Sequence, residues 1–144
     1  MIFMTGFHWY FGVVQASAGA AALSLSLDVT SGDLELNGPA GGSVTGSIAD
    51  SVGAITATAS GGAGGNSFAW TNTELADDDS VFSVSATGTT NQAAYDGLVI
   101  AMDTSGDSGG EAHGGQYRIR CTVTDSASAT ATADFTLNIN GNVE

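Results

Sequence analysis

The chain has no lysine, two arginines, one cysteine and one proline. It also has no apolar run long enough for a membrane helix, which needs about 20 residues. Each scarcity excludes something. Without lysine, and with only Arg118 and Arg120 as cations against 15 acids, the net charge is −13. Binding to a phosphate backbone rests on Lys and Arg displacing counterions, so no nucleic-acid partner is expected. Docking on an anionic membrane is excluded on the same ground. A lone Cys121 makes no internal disulfide, and on the inward face of a strand it reads as a small apolar residue. His8, His113 and Cys121 show no zinc-ligand spacing. Only 12% of residues are charged, so like copies repel at long range while short-range packing stays open to them.

What is there is alternation. In residues 116–140, QYRIRCTVTDSASATATADFTLNIN, Tyr117, Ile119, Cys121 and Val123 share one face. Arg118, Arg120, Thr122 and Thr124 share the other. After Asp125-Ser126-Ala127-Ser128, Ala131, Ala133, Phe135, Leu137 and Ile139 alternate with polar residues. Period-2 patterning around turn chemistry predicts a long antiparallel hairpin, buried on one side. Two strands alone are marginal in water, so the rest of the chain must supply a second layer.

Further short strands are expected over 23–29, 34–36, 44–48, 54–59, around Phe68 and Trp70, over 81–86, and over 95–102. Turns or loops are expected at 31–33, 37–42, 61–66, 71–80 and 103–115. With no convincing helix, this makes an all-β, antiparallel β-sandwich of about 7–9 strands. Trp70, Tyr117 and Phe135 are its expected core aromatics. At 144 residues the chain has the length of one domain. It divides into residues 1–22, an aromatic arm with a small-residue spacer, and residues 23–144, the sandwich.

The arm, MIFMTGFHWYFGVV, holds Phe3, Phe7, Trp9, Tyr10 and Phe11, five of the chain's eleven aromatics. It superficially resembles a secretion signal ending at Ala16-Ser17-Ala18. It lacks a basic beginning, however, and His8, Trp9 and Tyr10 interrupt the apolar run. Gly6 and Gly12 favour an extended conformation over a helix. Aromatics bury about 150–250 Å² each, so the arm carries on the order of 1,000 Å² of aromatic surface. Monomers rarely expose patches beyond roughly 300–600 Å². Either the arm completes its own sandwich or it packs on a neighbouring subunit; the second is the expectation.

Chemical signatures are few. The GGAGGN stretch at 61–66 precedes a strand and lacks the GK[ST] of a phosphate loop. No G-x-S-x-G elbow is present, and no carboxylate pair is marked by its context, so no enzyme and no catalytic residues are expected. Asp103, Asp107 and Glu111 fall every four residues in a Gly-rich loop and are weak calcium candidates. Glu74, Asp77, Asp78 and Asp79 are weaker ones. No other cofactor is expected. Arg118 and Arg120 are expected either to pair with acids on adjacent strands or to fix register against an acidic neighbour.

The closing stretch resembles bacterial Ig-like and PKD-type domains. Gly115-Gln116-Tyr117-Arg118-Ile119 and Thr122-Val123-Thr124-Asp125 are similar to their "G-x-Y-x-V … T-V-T-D" strand, and Leu137-Asn138-Ile139 to their last one. Trp70 falls where such folds place a core tryptophan. The Trp-x-Phe-Gly-Asp-Gly turn of PKD domains is replaced by Trp70-Thr71-Asn72-Thr73, and Cys121 has no disulfide partner. The resemblance implies an Ig-like sandwich of the kind found in adhesins, accessory domains of surface enzymes, and phage capsids and tails. Residues 7–15, FHWYFGVVQ, also resemble the opening "W-x-x-G-V-V-E" strand of contractile-tail baseplate hub proteins, without the Asp-Pro and Gly-Arg-Val elements that follow there.

The expected role is therefore structural: a tailed-phage virion component (capsid decoration, tail or fibre-associated), anchored by its arm to other subunits or to copies of itself in an oligomeric assembly. The alternatives are a glycan- or receptor-binding module at a cell surface, using long loops and exposed aromatics such as Tyr95, and an extracellular filament subunit assembling by donor-strand exchange.

Overall fold

The computed structural model describes residues 19–86 and 91–144. The arm aromatics Phe3, Phe7, Trp9, Tyr10 and Phe11 lie outside the described residues. The strands are β1 (Ser24–Leu27), β2 (Ser31–Gly38), β3 (Ser43–Ser47), β4 (Ile55–Ser60), β5 (Ser67–Asp77), β6 (Phe82–Ala86), β7 (Ala94–Tyr95), β8 (Leu98–Asp103), β9 (Ala112–Thr124) and β10 (Thr130–Val143). One helical turn, α1 (Ile48–Ser51), separates β3 from β4.

One layer has the order β2-β10-β9-β5, with β2 parallel to β10 and the other pairs antiparallel. The second layer is formed by β1-β4-β7 and β3-β8-β6. Between the pairs Ser47↔Val99 and Ile55↔Tyr95 one chain advances eight residues and the other four. The helical turn takes up the difference, so β3–β4 and β7–β8 are two interrupted strands running side by side. Asp50 closes that turn by accepting hydrogen bonds from the Ser47 backbone N–H (2.7 Å) and hydroxyl (2.8 Å), and Ile48 is fully buried beneath it. In immunoglobulin lettering the layers are then A-B-E-D against C-F-G, with β2 added beside G. The protein is an Ig-like β-sandwich.

Alternation explains the core. Tyr117, Ile119, Cys121 and Val123 of β9 are buried, as are Phe135, Leu137 and Ile139 of β10. They meet Ile55, Leu98, Ile100 and Met102 from the opposite layer. Trp70 of β5 stacks on Tyr95 with ring centroids 5.3 Å apart, and its indole N–H donates to the Gln92 carbonyl at 2.8 Å. Burial of the Cys121 sulfur pushes its thiol up to about 11, so it is an inert core residue.

Three expectations are corrected. Residues 31–33 are strand, not turn, because β10 supplies a parallel partner from Ser31 onward. The expected acidic loop 71–80 is largely strand as well: β5 runs to Asp77 because β9 pairs with it as far as Gly115, with a bulge between Glu74 and Ala76. Tyr95 is 3% exposed. Its stacking on Trp70 places it inside the sandwich, where it offers no platform to a glycan.

Candidate functional site

The C-terminal ends of β2 and β10 and the start of β9 share one end of the sandwich with the loop after β8. Thr104, fully buried, ties that loop down: its hydroxyl donates to the Pro39 carbonyl at 2.7 Å and accepts from the Gly42 N–H at 3.2 Å. Asp107 N–H donates to the Thr104 carbonyl, Gly110 N–H to Val143, and Val143 N–H to Glu111. These bonds bring Asp107, Glu111 and His113 together, with one ligand-capable atom of each within 4.8 Å of the others. His113 Nε2 lies 3.1 Å from Asp107 Oδ2, and the two side chains are 5% and 16% exposed. Glu111 is exposed. Asp103, the third expected member, is elsewhere: its Oδ1 accepts from the Ser105 N–H at 2.9 Å, which holds its carboxyl below the usual carboxylate range.

Asp77 is likewise committed to backbone, accepting from the N–H groups of Val81 and Phe82. Asp77 is nonetheless raised, first by burial. The side chain of Asp79 lies outside the described residues.

The two arginines diverge. Arg120 makes a two-pronged bridge to its register partner Asp134, Nε to Oδ1 at 2.6 Å and Nη2 to Oδ2 at 2.7 Å. Both side chains are about two-fifths exposed, so the pair fixes register more than it stabilises. Arg118 sits between Thr73 and Thr136 with Nε buried and unpartnered among the described residues. On the same face, amides rung across the parallel pair: Asn138 to Asp33, Asn140 to Glu35 and Asn142 to Asn37.

At the opposite end, Asp125 gathers three backbone N–H groups, of Ala63 (2.8 Å), Ala129 (2.8 Å) and Ala127 (2.9 Å). They hold its carboxyl below the usual range, the bond from Ala63 first. The GGAGGN stretch is therefore a structural clasp on the β9–β10 turn, and Gly62 N–H also fastens the spacer by donating to Ala21.

β5 is an edge strand among the described residues. Thr71, Asn72, Thr73, Glu74, Leu75 and Ala76 are all exposed, on both faces of the strand. Leu75 is the exposed large hydrophobic residue among those described. No pocket opens among the described residues.

The titrating groups set a pH window. Asp125 and Asp134 are lowered, the latter first by its Arg120 hydrogen bond. Their contribution is present above the ordinary carboxylate value near 4 and is lost as pH falls through their folded values. Tyr117 is pushed up to about 12, first by burial, and Cys121 to about 11. Their contribution is whole below the ordinary thiol value and is lost as pH rises toward 12. Asp77, being raised, works against the acidic limb. Thermal melts across pH are expected to show a plateau between about 5 and 9 with a fall on either side. Tyr117→Phe should flatten the alkaline limb; an unchanged limb would show that the phenol does not drive it.

No family model matches the chain, and no curated protein matches it. Among solved structures it is similar to the ASH/PapD-like domain of human CEP192 (PapD-like domain 7), with a TM-score of 0.47 and 13% identity over 99% of this chain and 98% of that one. It is also similar to a nucleoside hydrolase-related hypothetical protein from Saccharophagus degradans associated with carbohydrate metabolism, with a TM-score of 0.39 and 20% identity over 87% of this chain. The chain spans 26% of that protein's length. The fold assignment rests on strand order and register.

Sequence reasoning found Asp107 and Glu111 but not His113 beside them. Its one signal was D-x3-E-x-H, which gains meaning only once β9 is known to begin at Ala112, so that His113 is held in a ladder against Gly141.

Proposed function

We propose that this chain is a non-enzymatic structural protein, a tailed-phage virion component of the decoration, tail or fibre-associated kind. It displays an acidic Ig-like sandwich and is anchored through its aromatic arm. The observation that carries this reading is a division of chemistry along the chain. Residues 1–27 hold five aromatics and no acid, while all 15 acids lie from Asp28 onward. A sandwich that carries every acid, and so repels its copies, is joined to an aromatic-rich segment that carries none. The spacer is clamped to the sandwich at Ala21, which gives the arm a fixed point of departure. The likeness of residues 7–15 to the opening strand of baseplate hub proteins supports a virion setting.

The test is the solution mass, by light scattering, of the full chain and of residues 17–144. The truncated chain is expected to be a folded monomer, and the full chain to assemble. An unfolded truncation, or two folded monomers, would assign the arm to its own domain.

One observation favours a second reading, a surface filament subunit assembling by donor-strand exchange. The β5 edge, exposed on both faces over residues 71–76, suits an added strand. Filaments growing from purified protein alone would select it; a decoration protein requires its host lattice.

A further inference from the structure

We propose that Asp107, Glu111 and His113 form a binding site for a divalent transition-metal ion, with zinc the best fit, at the end of the sandwich where β2, β9 and β10 meet. The proposal is independent of the assembly role. An imidazole separates this group from an ordinary acidic loop. His113 is more than nine-tenths buried, and its Nε2 is aimed into the group rather than at solvent, 3.1 Å from Asp107 Oδ2.

The donor set decides the ion. One nitrogen and two carboxylates suit zinc, cobalt or nickel. Calcium requires six to eight oxygens, and Asp103, which would have added one, is turned to Ser105. Distances agree: zinc–nitrogen and zinc–oxygen bonds of about 2.0–2.1 Å in a tetrahedron place neighbouring ligand atoms about 3.3 Å apart. The His113–Asp107 pair, at 3.1 Å, is already close to that separation. Glu111, within 4.8 Å and exposed, closes the third side by a side-chain rotation.

The ligands are held differently. His113 sits in the β9 ladder opposite Gly141. Asp107 and Glu111 are fixed through their backbones to Thr104 and Val143. Two ligands are thus largely preorganised and the third, Glu111, is exposed; three protein ligands leave the fourth tetrahedral position to water.

The experiment uses the full chain stripped with chelator and titrated with zinc, calcium and cobalt. Zinc at about 100 times its Kd should raise the melting temperature by roughly 5–10 °C; calcium should not. Cobalt should develop the visible absorption of a low-coordinate N/O site. Glu111→Gln, at an exposed position that cannot threaten the fold, should weaken zinc about 10–100-fold, and Asp107→Asn or His113→Gln should weaken it at least as much. No zinc shift in the parent chain overturns the proposal. So does a shift that survives Glu111→Gln and Asp107→Asn unchanged, which would trace zinc to scattered surface carboxylates.

Discussion

Phe135→Ala should cost about 3–5 kcal/mol, the range for emptying a large aromatic site in a close-packed core. Phe135 is 0% exposed. Its ring reaches across to β2, where a Cβ added at Gly32 would lie 3.1 Å from the ring's Cζ, 2.5 Å from Val52 Cγ1 and 2.7 Å from Ser51 Oγ. The ring therefore helps close the corner between β2, β10 and the end of α1. Against a total stability of about 5–15 kcal/mol for a domain, the variant should melt roughly 10–15 °C lower. Chemical denaturation checks it. A loss under about 1 kcal/mol would mean that the ring is not a core element.

Gly61→Ala is the second large effect. Gly61 has φ of +72°, a left-handed conformation that costs an L-residue about 1–2 kcal/mol. A Cβ there would also overlap the carbonyl oxygen of Ala22, a backbone atom that cannot rotate away. Gly64 supplies the control: its φ is +75°, and nothing lies within 4 Å of an added Cβ. Gly64→Ala should cost about 1 kcal/mol, the conformational term alone. Gly61→Ala should cost roughly 3 kcal/mol or release residues 21–22 from the end of β4. Equal effects in the two variants would mean that the approach of Ala22 is not tight. The measurement also bears on assembly, because a spacer freed at Ala21 would no longer fix where the arm departs.

The strands that alternate strictly were legible. Tyr117 to Val123 and Phe135 to Ile139 announce both their conformation and their buried face, since period-2 burial is a local property of the chain. What escaped depends on partners distant in sequence. Ser31-Gly32-Asp33 has turn residues, yet it becomes strand because β10, more than a hundred residues later, offers hydrogen bonds to it. Thr71 to Asp77 is mostly polar and exposed and carries no alternation; it is a strand because β9 is long enough to pair along it to Asp77, past the bulge at Leu75. Tyr95 sits in a weakly patterned segment, and only the stack with Trp70 reveals it as core. The candidate site follows the same rule. Asp107 and Glu111 stand out by spacing, whereas His113 joins them through the position of a strand start, and Asp103 leaves them through a two-residue backbone contact.

The parallel pair β2–β10 has a consequence for how the molecule is made. Asn138, Asn140 and Asn142 find their partners 105 residues upstream. Closing so large a loop is entropically slow, and sandwiches dominated by such distant pairings fold in milliseconds to seconds rather than microseconds. On the ribosome β2 is synthesised early and then waits, its acidic Asp33 and Glu35 facing water, until β10 has emerged. Two carboxylates on one exposed strand face are the kind of charge that disfavours edge-to-edge pairing with other chains before the strand's own partner arrives.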